Sequence, residues 1–311
     1  MEYYEDDGGN RVEGTPIRVA QVIADAMTKY SDKKAVLYFN DSDAEKIAEL
    51  ERHLPAATDN FRIETSIGDG NDLLKKLKPA LLKKDGVHYL LFYDPYTASI
   101  NWEVLAPYFF GWGEFILNHM LSDSVRALKQ AKRPEVKHKY EQTYLTPFES
   151  LMNSVGDRKE YEQRLVHIIE NLCQKLSKKY YVVTIPFFIK TNALIYDLVF
   201  FTKHIKGFKK FKTAAWKTFG GKSSNQNTHG AEIQQTLFPT PPEDKQCYTV
   251  SDIADYIVDN FKERKTVSFA EIWNFVDEHP IFPTEGYKNE IKGKLTLTGR
   301  CRIGKSTADF A

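Results

Sequence analysis

Two β-rich segments that are separated by only three residues limit what this chain of 311 residues can fold into. The segments are Tyr180–Ile189 and Ala193–Thr202, and Lys190, Thr191 and Asn192 connect them. A parallel crossover needs about a dozen residues or more, so these segments must pair as an antiparallel hairpin. The sequence therefore predicts a sheet with an antiparallel pair near its C-terminal end.

The region before the hairpin alternates between strand-like and helical patterns. Strand-like runs at Ala35–Phe39, Arg62–Ser66 and His88–Tyr93 are separated by helical stretches, and a fourth strand is expected at Glu114–His119. This alternation predicts βαβ units in a mostly parallel sheet, and the apolar strands predict a sheet that is covered on both faces. The expected fold class is α/β, Rossmann-like, and its layout resembles that of class I S-adenosylmethionine-dependent methyltransferases.

Composition divides the remainder of the chain into two parts. Residues 221–246 are rich in Gly, Ser, Asn, Gln, Thr and Pro, which predicts a flexible linker after an α/β domain over residues 1–220. Residues 247–311 follow the pattern helix, short strand, two helices and hairpin. This pattern predicts a winged helix-turn-helix domain in which the hairpin is the wing.

Composition and spacing also exclude several classes of protein. A net charge of +1 with 42% hydrophobic residues excludes a disordered chain or a supercharged nucleic-acid-binding arm. The cysteines and histidines show no metal-ligand spacing, so no metal site is expected, and no P-loop or G-x-S-x-G motif is present. No apolar stretch approaches the roughly 20 residues that span a bilayer, which predicts a cytoplasmic protein without a membrane segment.

Polar residues stand where the first two predicted strands end, which is where a parallel sheet binds its ligand. Asp41 could accept both hydrogen bonds of a ribose diol, with Asp43 as the alternative, although either residue could instead cap the next helix. Asp69 lies between Gly68 and Gly70 and could accept a hydrogen bond from an adenine amino group. An ordinary turn would explain that segment equally well.

The third strand runs directly into Asp94, Pro95 and Tyr96, which is the most specific pattern in the chain. In amino-group methyltransferases, a carboxylate and a backbone carbonyl accept hydrogen bonds from an exocyclic amino group while an aromatic ring stacks on the base. Asp-Pro also ends strands for turn reasons alone. The motif predicts that these three residues catalyse methyl transfer by positioning the acceptor.

Two basic segments are candidates for binding nucleic acid. From Leu198 to Ala231 there is no acidic residue, and lysines alternate with aromatic residues, as expected for phosphate contacts and base stacking. The predicted wing adds further cations. A solvated edge over an aromatic core and a winged helix that binds protein are the alternatives. The predicted phosphate contacts are Lys209, Lys210, Lys212, Arg300 and Arg302.

Several of these segments, taken together, resemble the three-Cys-motif partner protein family of bacteria. The segments are Gly14-Thr15-Pro16, Leu37–Asp41, Asp94-Pro95-Tyr96, Phe115–Met120 with Arg126, and Ile195–His204. The resemblance implies a class I methyltransferase-like domain, often with a C-terminal winged helix, that is encoded beside a radical-SAM-like protein with three clustered cysteines. That three-Cys-motif protein is therefore an expected partner.

The resemblance also implies a cofactor site for S-adenosylmethionine. Gly14, Thr15 and Pro16 would belong to the loop that holds this cofactor, together with Asp41 and Asp69. Because no strand precedes that loop, we expect either that an upstream segment is missing or that the cofactor site has decayed.

Two functions follow as hypotheses. The chain could be a methyltransferase that acts on an amino or ring nitrogen of DNA or RNA. It could instead be a catalytically inactive partner or scaffold protein of a mobile-element or defence locus, which uses the same fold to hold a neighbouring protein.

Overall fold

The structure of the chain is a computed structural model that forms two compact units, residues 1–84 and 85–311. It describes residues 3–5, 9, 11–83, 86–95, 99–121, 128–153, 158–174, 176, 179–189, 193–226 and 247–310. Within these ranges, no helix combines the length and the apolar composition that crossing a membrane requires. Each unit has its own sheets.

The first unit contains a parallel pair of strands with helices between and after them. In chain order its elements are β1 (Tyr3–Glu5), β2 (Arg11–Glu13), α1 (Thr15–Met27), β3 (Ala35–Asp41), α2 (Ala44–Glu51), β4 (Phe61–Ile67) and α3 (Gly70–Lys83). β1 and β2 pair antiparallel, whereas β3 and β4 pair in parallel from Ala35 opposite Phe61 to Asp41 opposite Ile67. The carboxyl ends of β3 and β4 therefore lie at the same edge.

The second unit begins with a mixed four-stranded sheet. Its first elements are β5 (Tyr89–Tyr93), α4 (Trp102–Phe110), β6 (Gly113–His119), α5 (Pro134–Tyr144), α6 (Phe148–Asn153), α7 (Arg158–Cys173), β7 (Tyr181–Phe188) and β8 (Leu194–Thr202). The strand order is β5-β6-β8-β7, with β5 and β6 parallel and β8 antiparallel to both of its neighbours. The predicted antiparallel hairpin is confirmed, and its second strand lies between β6 and β7.

Two expectations about the sheet need correction. The strands were expected to form one mostly parallel sheet, but among the described residues β3 and β4 form one sheet and β5, β6, β8 and β7 form another. The strands were also expected to be covered on both faces. On β5, however, Leu90 is 61% exposed and Phe92 is 50% exposed, because alternate side chains of a strand point to opposite faces and this face of β5 is uncovered in the described structure.

The second unit continues with a helix and a small antiparallel sheet that is surrounded by three further helices. These elements are α8 (Ile205–Thr218), α9 (Val250–Phe261), β9 (Thr266–Ser268), α10 (Phe269–Glu278), α11 (Lys288–Leu297), β10 (Cys301–Ile303) and β11 (Thr307–Phe310). The sheet order is β10-β11-β9, and buried residues such as Ile257, Ile272 and Ile291 form its core. We call residues 247–310 the C-terminal module.

The helix α8 lies against the mixed sheet and also contacts the C-terminal module. Its Phe208 and Phe211 pack on the β7 and β8 side of the sheet, and Gly207 permits the close approach, since a Cβ there would lie 1.9 Å from Oε1 of Glu114. Its Trp216 belongs to the core of the C-terminal module. The same helix therefore contributes to two hydrophobic clusters.

The predicted linker is partly described. Residues 221–226 are held in place rather than free: the Asn225 amide donates to the carbonyl of Phe188 at 2.6 Å and accepts from its N–H at 2.8 Å, and Ser223 N donates to the carbonyl of Tyr248 at 2.9 Å. Residues 227–246 lie outside the described residues.

Candidate functional site

The carboxyl ends of β3 and β4 form the first candidate edge. Gly68 N donates to the carbonyl of Asp41 at 3.0 Å, and the Asn40 side chain donates to the carbonyl of Gly68 at 2.9 Å. The structure thus brings Asp41 next to the turn that contains Asp69, as expected for the ends of two parallel strands.

Asp41 and Asp43 have different local roles at this edge. Asp43 caps α2, because its Oδ1 accepts from the N–H groups of Glu45 and Lys46. Asp41 accepts from Asp43 N through Oδ1 at 2.9 Å, while its Oδ2 lies 3.9 Å from the Lys46 ammonium. The capping role therefore belongs to Asp43, and Asp41 is half-buried with one oxygen that the turn does not use.

Asp69 makes the turn bonds that open α3. Its Oδ1 accepts from the backbone N–H of Asn71 at 2.8 Å and from the Asn71 side chain at 3.0 Å, and its carbonyl accepts from Asp72 N. This geometry agrees with the turn reading of the segment. Both bonds to the carboxylate use Oδ1, as at Asp41.

Gly14 lies between β2 (Arg11–Glu13) and α1, so a short strand precedes this loop, contrary to the expectation from sequence; β2 pairs antiparallel with β1. The backbone of Gly14 is extended, the residue is buried, and its carbonyl accepts from Arg18 N at 3.2 Å. Thr15 is exposed at the first helical position, and Pro16 follows in the first turn, where a missing N–H costs nothing. These residues open a helix, as predicted.

These residues fit S-adenosylmethionine in part. The Oδ2 atoms of Asp41 and Asp69 are not used by their turns and could accept hydrogen bonds from a ribose and an adenine amino group. The Oδ1 atoms are already used, so neither carboxylate presents both oxygens. The first unit can therefore offer single acceptors to a nucleoside, at an edge where Asp41 and the Gly68 turn are hydrogen-bonded together.

The second candidate edge lies where β5 and β6 end. Tyr93 is opposite Leu117, so the next residues of the two strands, Asp94 and Asn118, are neighbours. The Asn118 side chain donates to Oδ1 of Asp94 at 2.7 Å. Oδ1 of Asn118 is buried and has no hydrogen-bond partner in the described part of the chain. The pair therefore presents a carboxylate and an amide oxygen at one strand end.

Asp94 is partly accessible to solvent. Burial raises the pKa of the Asp94 carboxyl, and the hydrogen bond from Asn118 opposes that change. Burial also raises the pKa of the Tyr196 phenol, with a smaller contribution from the charge of Asp94, and the Tyr196 ring stacks on Phe187 with 4.7 Å between centroids. Tyr196 therefore adds an aromatic ring to the surroundings of Asp94.

Sequence reasoning missed Asn118 and Tyr196 as parts of this edge. Asn118 could have been found by aligning β5 with β6 in parallel register, since it takes the position beside Asp94. Tyr196 lies on β8, the second strand of the predicted hairpin, and nothing in its sequence neighbourhood indicates that it lies near Asp94. Pro95 follows Asp94 as predicted, and Tyr96 lies outside the described residues.

Lys212 lies inside the contact between α8 and the C-terminal module. Its side chain is 1% exposed, and its ammonium donates to the carbonyls of Asp277 at 2.9 Å, His279 at 2.6 Å and Phe282 at 2.9 Å. Burial lowers the pKa of Lys212 to about 7, while the charge of Asp277 opposes the change. Contrary to the expectation from sequence, the Lys212 ammonium is not available to a phosphate in this structure.

The other predicted phosphate contacts also have protein partners or remain exposed. Lys209 forms an ion pair with Asp277, and Lys210 forms one with Glu285. Arg300 pairs with Asp255 at 2.8 Å and with Asp259 at 3.4 Å, whereas Arg302 is exposed on β10. The sequence pattern identified the cations but not the carboxylates that fold against them.

His279 completes the contact around Lys212. Its Nδ1 accepts from the N–H groups of Ile281 at 3.1 Å and Phe282 at 3.2 Å, which requires that nitrogen to be unprotonated. Burial lowers the pKa of His279 from its ordinary value of 6.5 to about 4, and the charge of Lys212 adds to the effect. The indole of Trp216 donates to the carbonyl of Ile281 at 3.0 Å.

A lysine-lined groove lies on the C-terminal module. Its volume is about 540 Å³, and its walls include Lys209, Lys288, Lys292 and Lys305, with the rings of Phe269 and Trp273 beneath them. The sequence indicated further cations at the predicted wing, but it did not indicate that Lys288 and the aromatic pair Phe269 and Trp273 belong with them.

No protein-family model matches the chain, and no curated protein matches it significantly. The resemblance to the three-Cys-motif partner family therefore stays a prediction that rests on the short segments quoted above.

Proposed function

We propose that the chain is a class I methyltransferase-like protein of the three-Cys-motif partner type, which methylates an amino or ring nitrogen of nucleic acid. The observation that supports this proposal most strongly is the pair of acceptor groups, Asp94 and Asn118, at the carboxyl ends of adjacent parallel strands. The sheet around them, with its last strand antiparallel between β6 and β7, is of the kind that the sequence resemblance predicts.

The acceptor pair suits an exocyclic amino group. Such a group has two N–H donors, and Asp94 and Oδ1 of Asn118 could accept one each, which would orient the nitrogen lone pair. The raised pKa of Asp94 would also favour acceptance of the proton that the nitrogen loses after methylation. S-adenosylmethionine, when bound, supplies an electrophilic methyl group.

In this proposal the first unit binds the cofactor. Asp41 and Asp69 would contribute their Oδ2 oxygens, and Gly14, Thr15 and Pro16 would contribute the helix start that the resemblance assigns to the cofactor loop. Tyr96 would stack on the acceptor base, and Pro95 would fix the backbone after Asp94.

A second candidate function is a catalytically inactive scaffold that holds a three-Cys-motif partner protein. The turn bonds at Asp41 and Asp69 favour it, because each carboxylate is already used by the fold through one oxygen. A protein that had lost cofactor binding would keep such bonds, since they stabilise the starts of helices.

Calorimetry with S-adenosylmethionine separates the two functions. The methyltransferase proposal predicts a measurable heat of binding for the full chain and roughly tenfold weaker binding for Asp41→Asn, which keeps Oδ1 for the turn but removes the charge. Asp72→Asn, on the exposed face of α3, is the matched control and should bind like the unmodified chain. No heat of binding by a chain with a folded circular dichroism spectrum would favour the scaffold.

Transfer of a radiolabelled methyl group to DNA and RNA then tests the acceptor pair. Asp94→Asn and Asn118→Ala should both lose transfer while cofactor binding stays unchanged, because they act on the acceptor. Transfer at the unmodified rate by both variants would exclude this edge as the site of reaction.

A further inference from the structure

Besides Lys209 of α8, the cations of the lysine groove come from two parts of the C-terminal module. Lys288 and Lys292 are one helical turn apart on α11 and therefore share a face. Lys305 lies between β10 and β11, and this segment is held against the start of α10, since Phe269 N donates to the carbonyl of Ser306 at 2.9 Å and Thr307 pairs with Ser268. The fold thus collects lysines that are distant in sequence.

These lysines keep their charge unneutralised. No carboxylate in the described part of the module lies within ion-pair distance of Lys288, Lys292 or Lys305. Instead, the Lys292 ammonium lies 3.9 Å from the centroid of the Phe269 ring, and that of Lys288 lies 5.7 Å from the Trp273 ring. A ring attracts an ammonium group without cancelling its charge, so the cations remain able to bind an anion.

Several carboxylates of the module pair with other groups. Asp277, which also lines the groove, pairs with Lys209 and accepts from the Thr284 hydroxyl at 2.6 Å. Asp255 and Asp259 pair with Arg300. The module's overall charge is close to neutral, yet Lys288, Lys292 and Lys305 make this groove positive.

We propose that this lysine groove binds the phosphodiester backbone of nucleic acid. Separate ammonium groups along a groove suit successive phosphates, whereas Trp273 and Phe269 are only 8% and 5% exposed and therefore support the lysines instead of stacking on bases. Binding would not depend on base sequence. The groove gives the proposed methyltransferase a surface for its substrate, but binding can be measured without methyl transfer.

Fluorescence anisotropy on the full chain tests this groove. The probes are a labelled single-stranded RNA, a single-stranded DNA and a duplex DNA of mixed sequence, each titrated at several salt concentrations. The double variant Lys288→Gln with Lys292→Gln should weaken binding and reduce the slope of log affinity against log salt by about two. The matched control, Lys262→Gln with Lys265→Gln, makes the same charge change on the same module away from the groove. Its slope of log affinity against log salt should fall by less than half as much as the slope of the groove variant.

Four results would overturn the proposal. The first is absence of binding by the unmodified chain. The second and third are an unchanged slope for the groove variant and equal slopes for the groove and control variants. The fourth is displacement of nucleic acid by a Glu-rich peptide of equal charge, which would indicate an acidic protein as the ligand. Lys305→Gln provides a second variant if the double variant melts early, and it should reduce the slope by about one. Unchanged binding of S-adenosylmethionine by the groove variant would separate failure here from failure of the methyltransferase proposal.

Discussion

Lys212 of α8 and the groove lysines Lys288 and Lys292 all lie on helices, but their environments in the fold differ. Lys212 is buried under three carbonyl oxygens, whereas Lys288 and Lys292 lie beside aromatic rings. The difference comes from the element that packs against each group. A cationic segment is a ligand site only where the fold leaves its charge without a protein partner.

Lys212→Met gives the sharpest test of this difference. It keeps the length of the side chain but leaves three buried carbonyls without a donor, so we expect the free energy of unfolding to fall by about 3 kcal/mol. Urea denaturation measures the change. Equal stability of this variant and the unmodified chain would mean that α8 does not hold the C-terminal module as described.

Acid should weaken the same contact through His279. Its pKa in the folded chain, about 4, lies below its ordinary value of 6.5, so the unfolded chain binds more protons between these pH values. The free energy of unfolding should therefore fall by up to about 1.4 kcal/mol per pH unit as the pH is lowered through this window. The variant His279→Asn has a side-chain oxygen that can replace Nδ1 as acceptor, so this part of the pH dependence of stability should disappear. Its persistence would show that protonation of His279 is not the cause.

Trp216→Phe removes a smaller part of the contact. A smaller ring remains, but the hydrogen bond to the carbonyl of Ile281 and part of the buried indole are lost, which should cost about 2 kcal/mol. Thermal melting of this variant beside Lys212→Met would rank the two contributions. A larger effect for Trp216→Phe would assign the contact to hydrophobic packing and not to the buried ammonium.

Lys210→Gln should have the smallest effect. Lys210 and its partner Glu285 are solvent-exposed enough that the ion pair contributes less than about 0.5 kcal/mol. If the groove is the nucleic-acid surface, this variant should also leave the salt dependence of binding unchanged. A drop in slope as large as that of Lys305→Gln would extend the binding surface along α8 from Lys209 to Lys210.

The parts of the fold that local geometry determines could be predicted from sequence. A connection of three residues allows only a hairpin, and the alternation before it predicts the parallel pairs. What could not be predicted are the partners that come from distant segments. Lys212 meets carbonyls more than 60 residues away, and Asn118 reaches Asp94 through strand register, so the sequence could place these residues on their elements but not beside their partners.

The contact around Lys212 has a consequence for how the chain could be divided. Residues 205–218 bind the C-terminal module through buried hydrogen bonds and the Trp216 ring, and these bonds do not depend on the covalent connection through residues 227–246. Fragments 1–226 and 247–311, produced as separate polypeptides, should therefore reassociate and purify together. The chain would then behave as a split protein whose halves recognise each other through a contact centred on one buried lysine and one tryptophan.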